Sequence, residues 1–447
     1  MQRFGLAMSV LVMGAYAAEM RVRIEFPTEF TVIQRKYPSG GPMRIRGTAK
    51  GEVMPGKIEA RFNGGKWQIV DAAPKGGQFF GTITGKTGQG PLEVRCTALP
   101  DAVATVSNIS LGDVFVIAGQ SNADGRGGHM VTLNADNPTI GSKFRAGAWS
   151  KGDDPSDSAG KHASPWPIVL NTLIPEEKLP MGFIQTAVGS TVVKQWRKSG
   201  SMFSQMKKKV ALATEGTMQI KAVLYYQGEN DITHHNKLTV LGDYAAYKKN
   251  LLAMAEEMHV LFKAPIFIGQ ITNLGSLRER NDGIRQAQQE SWTLQDHILP
   301  GAITYDILPT DGVHYRDAAN MKAFAQRWAY AIDDALYRRK SRDVPELLEV
   351  RQLPGNRLRI RYDCKLAISS WDGKVSDLPR GFRLVQDDGQ ILGDADVLSC
   401  TLKRKTVTLQ FRKSFSGNSD YWYGSGADGQ GKAVLRNART GQPVPLV

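Results

Sequence analysis

The sequence predicts an α/β protein: a three-layer α/β/α domain set between an N-terminal β-sandwich and a C-terminal β-rich region. Three observations predict it. Residues 114–118, Val114-Phe115-Val116-Ile117-Ala118, are an unbroken apolar run closed by Gly119, the pattern of a strand buried on both faces of a parallel sheet. Short apolar runs recur at 181–186, 222–226, 266–271 and 302–306, and helical spacing appears in Tyr244, Tyr247, Leu251, Ala255 and Met258 and in Met321, Phe324, Trp328 and Ile332. On either side of this stretch the apolar residues alternate with period two instead.

Taken in order, residues 1–17 have a basic start at Arg3, an apolar run and the small-residue site Ala15-Tyr16-Ala17. That is the pattern of a secretory signal peptide, with an exported, secreted or periplasmic, mature chain expected to begin near Ala18. Residues 18–111 alternate in Val22, Ile24 and Phe26, in Met43 and Ile45, in Ile58, Ala60 and Phe62, and in Leu92, Val94 and Cys96, as a small antiparallel sandwich does. Residues 112–340 form the α/β domain, and 341–447 return to alternation in Leu358, Ile360 and Tyr362 and in Val407, Leu409 and Phe411. No stretch after the leader is apolar enough to cross a bilayer.

Composition narrows the function. With 447 residues, 41% hydrophobic and 22% charged, the chain is folded and too long for one ordinary core. Its three cysteines cannot build a disulfide scaffold; Cys364 and Cys400 could pair, or all three could be buried thiols. The formal charge of +14 comes from scattered residues without a nucleic-acid-binding motif, so no nucleic-acid partner is expected. No metal or other cofactor is expected either. His234-His235 lacks matching ligands downstream, and Asp153-Asp154 lies in a Gly, Ser, Pro and Asp-rich loop that reads as a turn.

Four segments end at the presumed carboxyl edge of a strand and carry polar residues there: Gly119-Gln120-Ser121-Asn122 with Gly125-Arg126-Gly127; Val188-Gly189-Ser190; Gln227-Gly228-Glu229-Asn230; and Asp311-Gly312-Val313-His314. Ligands of open α/β sheets bind at that edge. A serine hydroxyl is a poor nucleophile unless a base lies within hydrogen-bond reach and a third group fixes the base's tautomer. Asp311 and His314, three residues apart, can face Ser121 from one turn. Residue 123 is alanine, so the G-x-S-x-G elbow of α/β-hydrolases is absent.

With G-Q-S-N, G-R-G, Q-G-E and D-x-x-H in this order, the chain resembles the SGNH hydrolases, and within them the sialate O-acetylesterase-like carbohydrate esterases. The resemblance implies a serine esterase that removes O-acetyl groups from carbohydrate, with Ser121 as nucleophile, His314 as base and then acid, and Asp311 as the orienting carboxylate. It implies an oxyanion hole built from the N–H groups of Ser121 and Gly189 and a side-chain amide, Gln227 or alternatively Asn230. Arg126, Gln120 and Trp196 are the expected substrate contacts. Glu229 reads as structural, holding Arg126 or a loop N–H. The expected partner is an acetylated oligo- or polysaccharide, and the positive charge would suit sialic or uronic acids. The alternatives are an acetylxylan or pectin acetylesterase of the same fold and a non-catalytic carbohydrate-binding surface protein.

Overall fold

The structure is a computed structural model that describes residues 20–51, 56–233, 243–274, 278–338, 344–425 and 428–446. The expected leader at 1–17 and His234-His235 lie outside the described residues. The chain divides into two compact units, one made of 20–28, Pro42–Gly85 and Gly90–Ser107, the other of Glu29–Gly41, Lys86–Gln89 and everything from Asn108 onward.

The first unit is β structure. Met20–Phe26 pairs antiparallel with Gly40–Gly51, which is flanked on its other side by Gln78–Lys86. Ile58–Phe62 pairs antiparallel with both Gln68–Asp71 and Gly88–Cys96. The register sets Ile58 opposite Cys96, Ala60 opposite Val94 and Phe62 opposite Leu92, and all six are buried. A one-residue slip would turn all of them outward, so this register is tightly specified. The alternate residues carry the ion pairs Arg61 with Glu93 and Arg95 with Glu59.

The second unit is built on a sheet in the order Ala148–Lys151, Ser142–Arg145, Met181–Gln185, Leu99–Gly119, Ala222–Tyr226, Ile266–Gln270, Ile298–Ile303. All pairings are parallel except that between the first two. From Leu99–Gly119 the chain steps to one neighbour, Met181–Gln185, and later to the other, Ala222–Tyr226. The strand end carrying Ser121 is therefore the topological switch point, where a crevice opens outside the sheet.

The buried apolar runs thus became strands where expected, with one shift. The last strand is Ile298–Ile303, not 302–306. Proline and glycine are turn-forming types, but the strand that holds Pro300-Gly301 stands at the sheet's edge, where proline is tolerated. Gly301 is needed there: a Cβ on it would stand 2.7 Å from the Gly269 nitrogen.

Helices Tyr244–Phe262 and Ala318–Asp333 bury the faces their spacing defines, with Leu251, Met258, Phe324 and Trp328 fully covered. Helices Trp166–Glu177, Ser201–Ala213 and Arg278–Leu294 escaped the periodicity. The first holds Pro167 and Pro175, and the third buries polar residues, Asn281, Arg285 and Gln288.

The C-terminal strands include an antiparallel sheet ordered Leu347–Leu353, Arg357–Tyr362, Thr406–Phe411, Val397–Lys403, and the pair Leu366–Ser369 with Val434–Asn437. A buried carboxylate ties them to the α/β layers: Asp306, just past the last parallel strand, accepts from Arg327 and Arg436. Burial would raise its pKa, but the two guanidiniums outweigh that and hold it down at about 2. Cys96, Cys364 and Cys400 are free thiols, so the pairing left open by the sequence is not made. Burial pushes Cys364 up to about 12 and Cys400 up to about 11.

Candidate active site

Ser121 stands two residues past the central strand, which ends at Gly119, because Gly119 allows the chain to turn there. Gly119 has φ 121°, and a Cβ on it would lie 2.0 Å from the Tyr226 carbonyl oxygen of the adjacent strand. No other residue type fits that approach. Ser121 is 6% exposed, at the mouth of the crevice.

The loop after the last strand brings His314 to it. His314 Nε2 lies 3.0 Å from Ser121 Oγ, and its Nδ1 lies 3.0 Å from Asp311 Oδ2. Asp311 folds its own loop: Oδ1 accepts the backbone N–H of Val313 at 2.9 Å and of His314 at 2.6 Å, while Oδ2 also accepts from Arg316 Nε at 2.5 Å. Partial burial pushes the Asp311 carboxyl up, yet Arg316, the two N–H groups and the imidazole together hold it well below the usual carboxylate range. An anion fixed on Nδ1 leaves Nε2 as the basic atom facing the hydroxyl. The three residues taken from sequence as nucleophile, base and orienting acid are thus in hydrogen-bonded series.

Gly189 is also at the site, since a Cβ on it would stand 3.8 Å from Ser121 Cβ. Neither its N–H nor that of Ser121 donates to any described residue. Arg126 lies beside them: its Nη2 would be 2.5 Å from a Gly189 Cβ, so a side chain there would push the guanidinium aside. Arg126 Nη1 is held by Asp124 at 2.8 Å and by the Gly125 carbonyl, and Nη2 has no acceptor among the described residues. Its side chain is 24% exposed.

Three expected site residues are placed otherwise. Trp196 is fully buried, its Nε1 donating to Thr191 Oγ1 at 3.1 Å and its ring edge-on to Tyr225, so it has no face for a sugar. Gln120 is 3% exposed and its Oε1 gathers Gln227 Nε2 and the N–H groups of Gly228 and Asn230; it braces two loops together. Gln227 is fully buried, and its amide hydrogens have three internal acceptors, Asp231 Oδ2 at 2.6 Å, Thr191 O at 3.0 Å and Gln120 Oε1 at 3.2 Å. Asn230 lies nearer the rim, its amide donating to the Ser190 carbonyl at 2.9 Å. Asp153 and Asp154 brace their loop, accepting the backbone N–H groups of Leu133 and Val131.

Two functional positions were missed in sequence. Asn122 joins the blocks: Nδ2 donates to Glu229 Oε1 at 2.8 Å and to the Val313 carbonyl at 3.0 Å, locking the His314 loop to the serine loop. Arg316 grips Asp311, as described. Glu229 therefore holds Asn122, and Arg126 pairs with Asp124 instead.

Glu229 is 1% exposed and its Oε2 has no hydrogen-bond partner. Burial pushes its carboxyl up to about 7, only partly opposed by the Asn122 bond. An unfolded-chain glutamate titrates near about 4.3, so between those values the native state keeps a proton the unfolded state has lost. Stability then falls as pH rises through that window. Glu229→Gln removes this titration while keeping an acceptor for Asn122. Relative to the parent, the variant is expected to gain up to roughly 3 kcal/mol between about pH 4.5 and pH 8 in urea denaturation. A stability difference independent of pH would show that Glu229 does not titrate in the buried state.

Residues 111–333 match the model of a family described as "Carbohydrate esterase, sialic acid-specific acetylesterase". A protein of Arabidopsis thaliana described as a "probable carbohydrate esterase" is 27% identical over 149 residues, which cover 28% of this chain and 57% of that relative's length. A crystal structure described as a novel carbohydrate acetylesterase from Xanthomonas citri superimposes with a TM-score of 0.65 at 16% identity, covering 96% of this chain and 99% of that one. At that identity the superposition speaks to the fold.

Proposed function

Residues 111–333 belong to the carbohydrate esterase family of sialic acid-specific acetylesterases, with the three-layer SGNH-hydrolase-like fold, and from that membership we propose that the chain is an exported serine esterase that removes O-acetyl groups from carbohydrate. The observation that carries the reading is the series Ser121 Oγ, His314 and Asp311 at 3.0 Å and 3.0 Å. Ser121 Oγ attacks the acetyl carbonyl as its proton passes to His314 Nε2. The negative charge that develops on the carbonyl oxygen is met by the N–H groups of Ser121 and Gly189. The tetrahedral intermediate collapses, the sugar hydroxyl leaves with the proton from His314, and the acetyl group stays on Ser121 as an ester. Water, deprotonated by His314, then releases acetate and restores the serine.

Export rests on the leader pattern at 1–17; no helix among the described residues is long and apolar enough to cross a membrane. The substrate reading rests on the polar rim around Ser121, where a free guanidinium edge suits a sugar hydroxyl or carboxylate better than a lipid tail. Sialate is the first choice on the family description and the charge of +14, with acetylated xylan and pectin as the competing substrates. Arg126→Ala is expected to raise KM for the preferred acetylated sugar by roughly ten- to hundredfold, the worth of a hydrogen bond to a charged group, and to change turnover of p-nitrophenyl acetate far less. Equal losses on both would mean that Arg126 supports the serine loop and does not read the sugar.

The test of the reading is acetate release by the purified mature protein from 9-O-acetylated sialoside, acetylated xylan and acetylated pectin side by side. Release from one or more is the expected result. No release from any, with p-nitrophenyl acetate also untouched, would reject esterase activity and leave the carbohydrate-binding alternative.

A further inference from the structure

The second unit contains another cleft, of about 440 Å³, between helices Trp166–Glu177 and Ala318–Asp333 and the turn that follows strand Leu366–Ser369. It is separate from the serine crevice. Helix Ala318–Asp333 begins just after His314 and has 16 residues, so at about 1.5 Å per residue its last turn is on the order of 20 Å from its start. Gln326, Tyr330 and Asp333 line the cleft from one face of that helix, at spacings of four and three residues.

The groups at this cleft suit one ligand chemistry. Trp371, half-buried in the turn, presents an indole whose N–H has no acceptor among the described residues, and Tyr330 adds a second ring on the helix side. Exposed Gln326 has an amide with no hydrogen-bond partner among the described residues. Asp333 is 3% exposed; Arg338 Nε holds its Oδ2 at 2.6 Å and reaches Glu176 with another nitrogen at 3.4 Å. Asp333 Oδ1 is shut off from solvent, and burial together with a hydrogen bond to Asp333 raises the pKa of the neighbouring Glu177 carboxyl. An aromatic face for ring C–H groups, a free indole N–H and a free amide form a lining for a polyhydroxylated ring. The three arginines that line the cleft are spent on internal pairs, Arg338 with Asp333 and Glu176, and Arg327 and Arg436 with Asp306, so they are not free to attract an anionic sugar.

We propose that this cleft is a non-catalytic subsite for an uncharged saccharide chain, with Trp371 as its stacking platform. It goes beyond the esterase reading, because binding here needs neither an acetyl group nor Ser121. On a polymeric substrate it would hold the chain while the distant serine works.

Binding is measured with the Ser121→Ala protein, so that turnover cannot intervene, by affinity electrophoresis through gels holding deacetylated xylan, glucomannan or polygalacturonate. Retardation by a neutral polymer and not by polygalacturonate is expected. Trp371→Ala should weaken it roughly tenfold, and Gln326→Ala, an exposed change, should weaken it measurably too. In the Ser121 background, Trp371→Ala should leave p-nitrophenyl acetate turnover unchanged, which also certifies its fold. Absence of retardation by either neutral polymer, or equal retardation of parent and both variants, would overturn the proposal. Esterase failure with retained, Trp371-dependent retardation would sink the catalytic reading alone, and the converse would sink only the subsite.

Discussion

Ser121→Ala is expected to lower kcat for acetyl ester hydrolysis by on the order of a millionfold, as loss of the serine does in a protease built on the same three groups. The size follows from the geometry, since Ser121 Oγ lies 3.0 Å from His314 Nε2 and no other hydroxyl among the described residues hydrogen-bonds that ring. The fold should survive. The change deletes one oxygen at the crevice mouth, and His314, with 22% of its side chain exposed, can hydrogen-bond water in its place. Acetate release and a thermal melt on the same preparation check both halves. Full activity in a folded variant would end the mechanism.

Asp311→Asn is expected to cost about ten-thousandfold in kcat, by analogy with the corresponding change in the serine-protease triad. Four donors converge on Asp311: the His314 ring, Arg316 and the N–H groups of Val313 and His314. An asparagine must turn an NH2 toward one pair of them. If it faces Nδ1, the imidazole takes the other tautomer, and Nε2 then carries a proton toward Ser121 and cannot accept one. If it faces the backbone donors, the loop that positions His314 loosens. Steady-state kinetics on p-nitrophenyl acetate separates these from the milder case: a loss of only a few-fold would mean that the backbone alone holds the imidazole and that Asp311 is dispensable as an orienting acid.

What could be read in advance followed the physical signal. Runs such as Val114 to Ala118 were legible because a strand covered on both faces must be apolar throughout. Helix Arg278–Leu294 was harder to read, because polar Asn281, Arg285 and Gln288 share its hidden face with Ile284, Ala287 and Trp292; Gln288, for one, serves the Ile271 N–H and the Gln227 carbonyl. Ser121, Asp311 and His314 were legible together because the chemistry requires all three types. Trp196 was misplaced because closeness in sequence to a loop glycine does not say which way a ring packs. Gln227 was a reasonable donor by block position, but whether its amide was already spent depended on Asp231, Thr191 and Gln120, which only the folded chain assembles. Asn122 was visible as a residue and not as a hub, since its partners lie 107 and 191 positions away.

The bond between His314 and Ser121 spans 193 positions, and between them the chain must lay down strands on both sides of the central one. Loop closure over such a span is entropically unfavourable and comes only after nearer contacts have formed. The nucleophile therefore emerges from synthesis long before it has a base, and a chain stopped anywhere before the last parallel strand holds an inert serine. During refolding, recovery of hydrolysis becomes a clock for the closing step of assembly, trailing the return of helical and β signal.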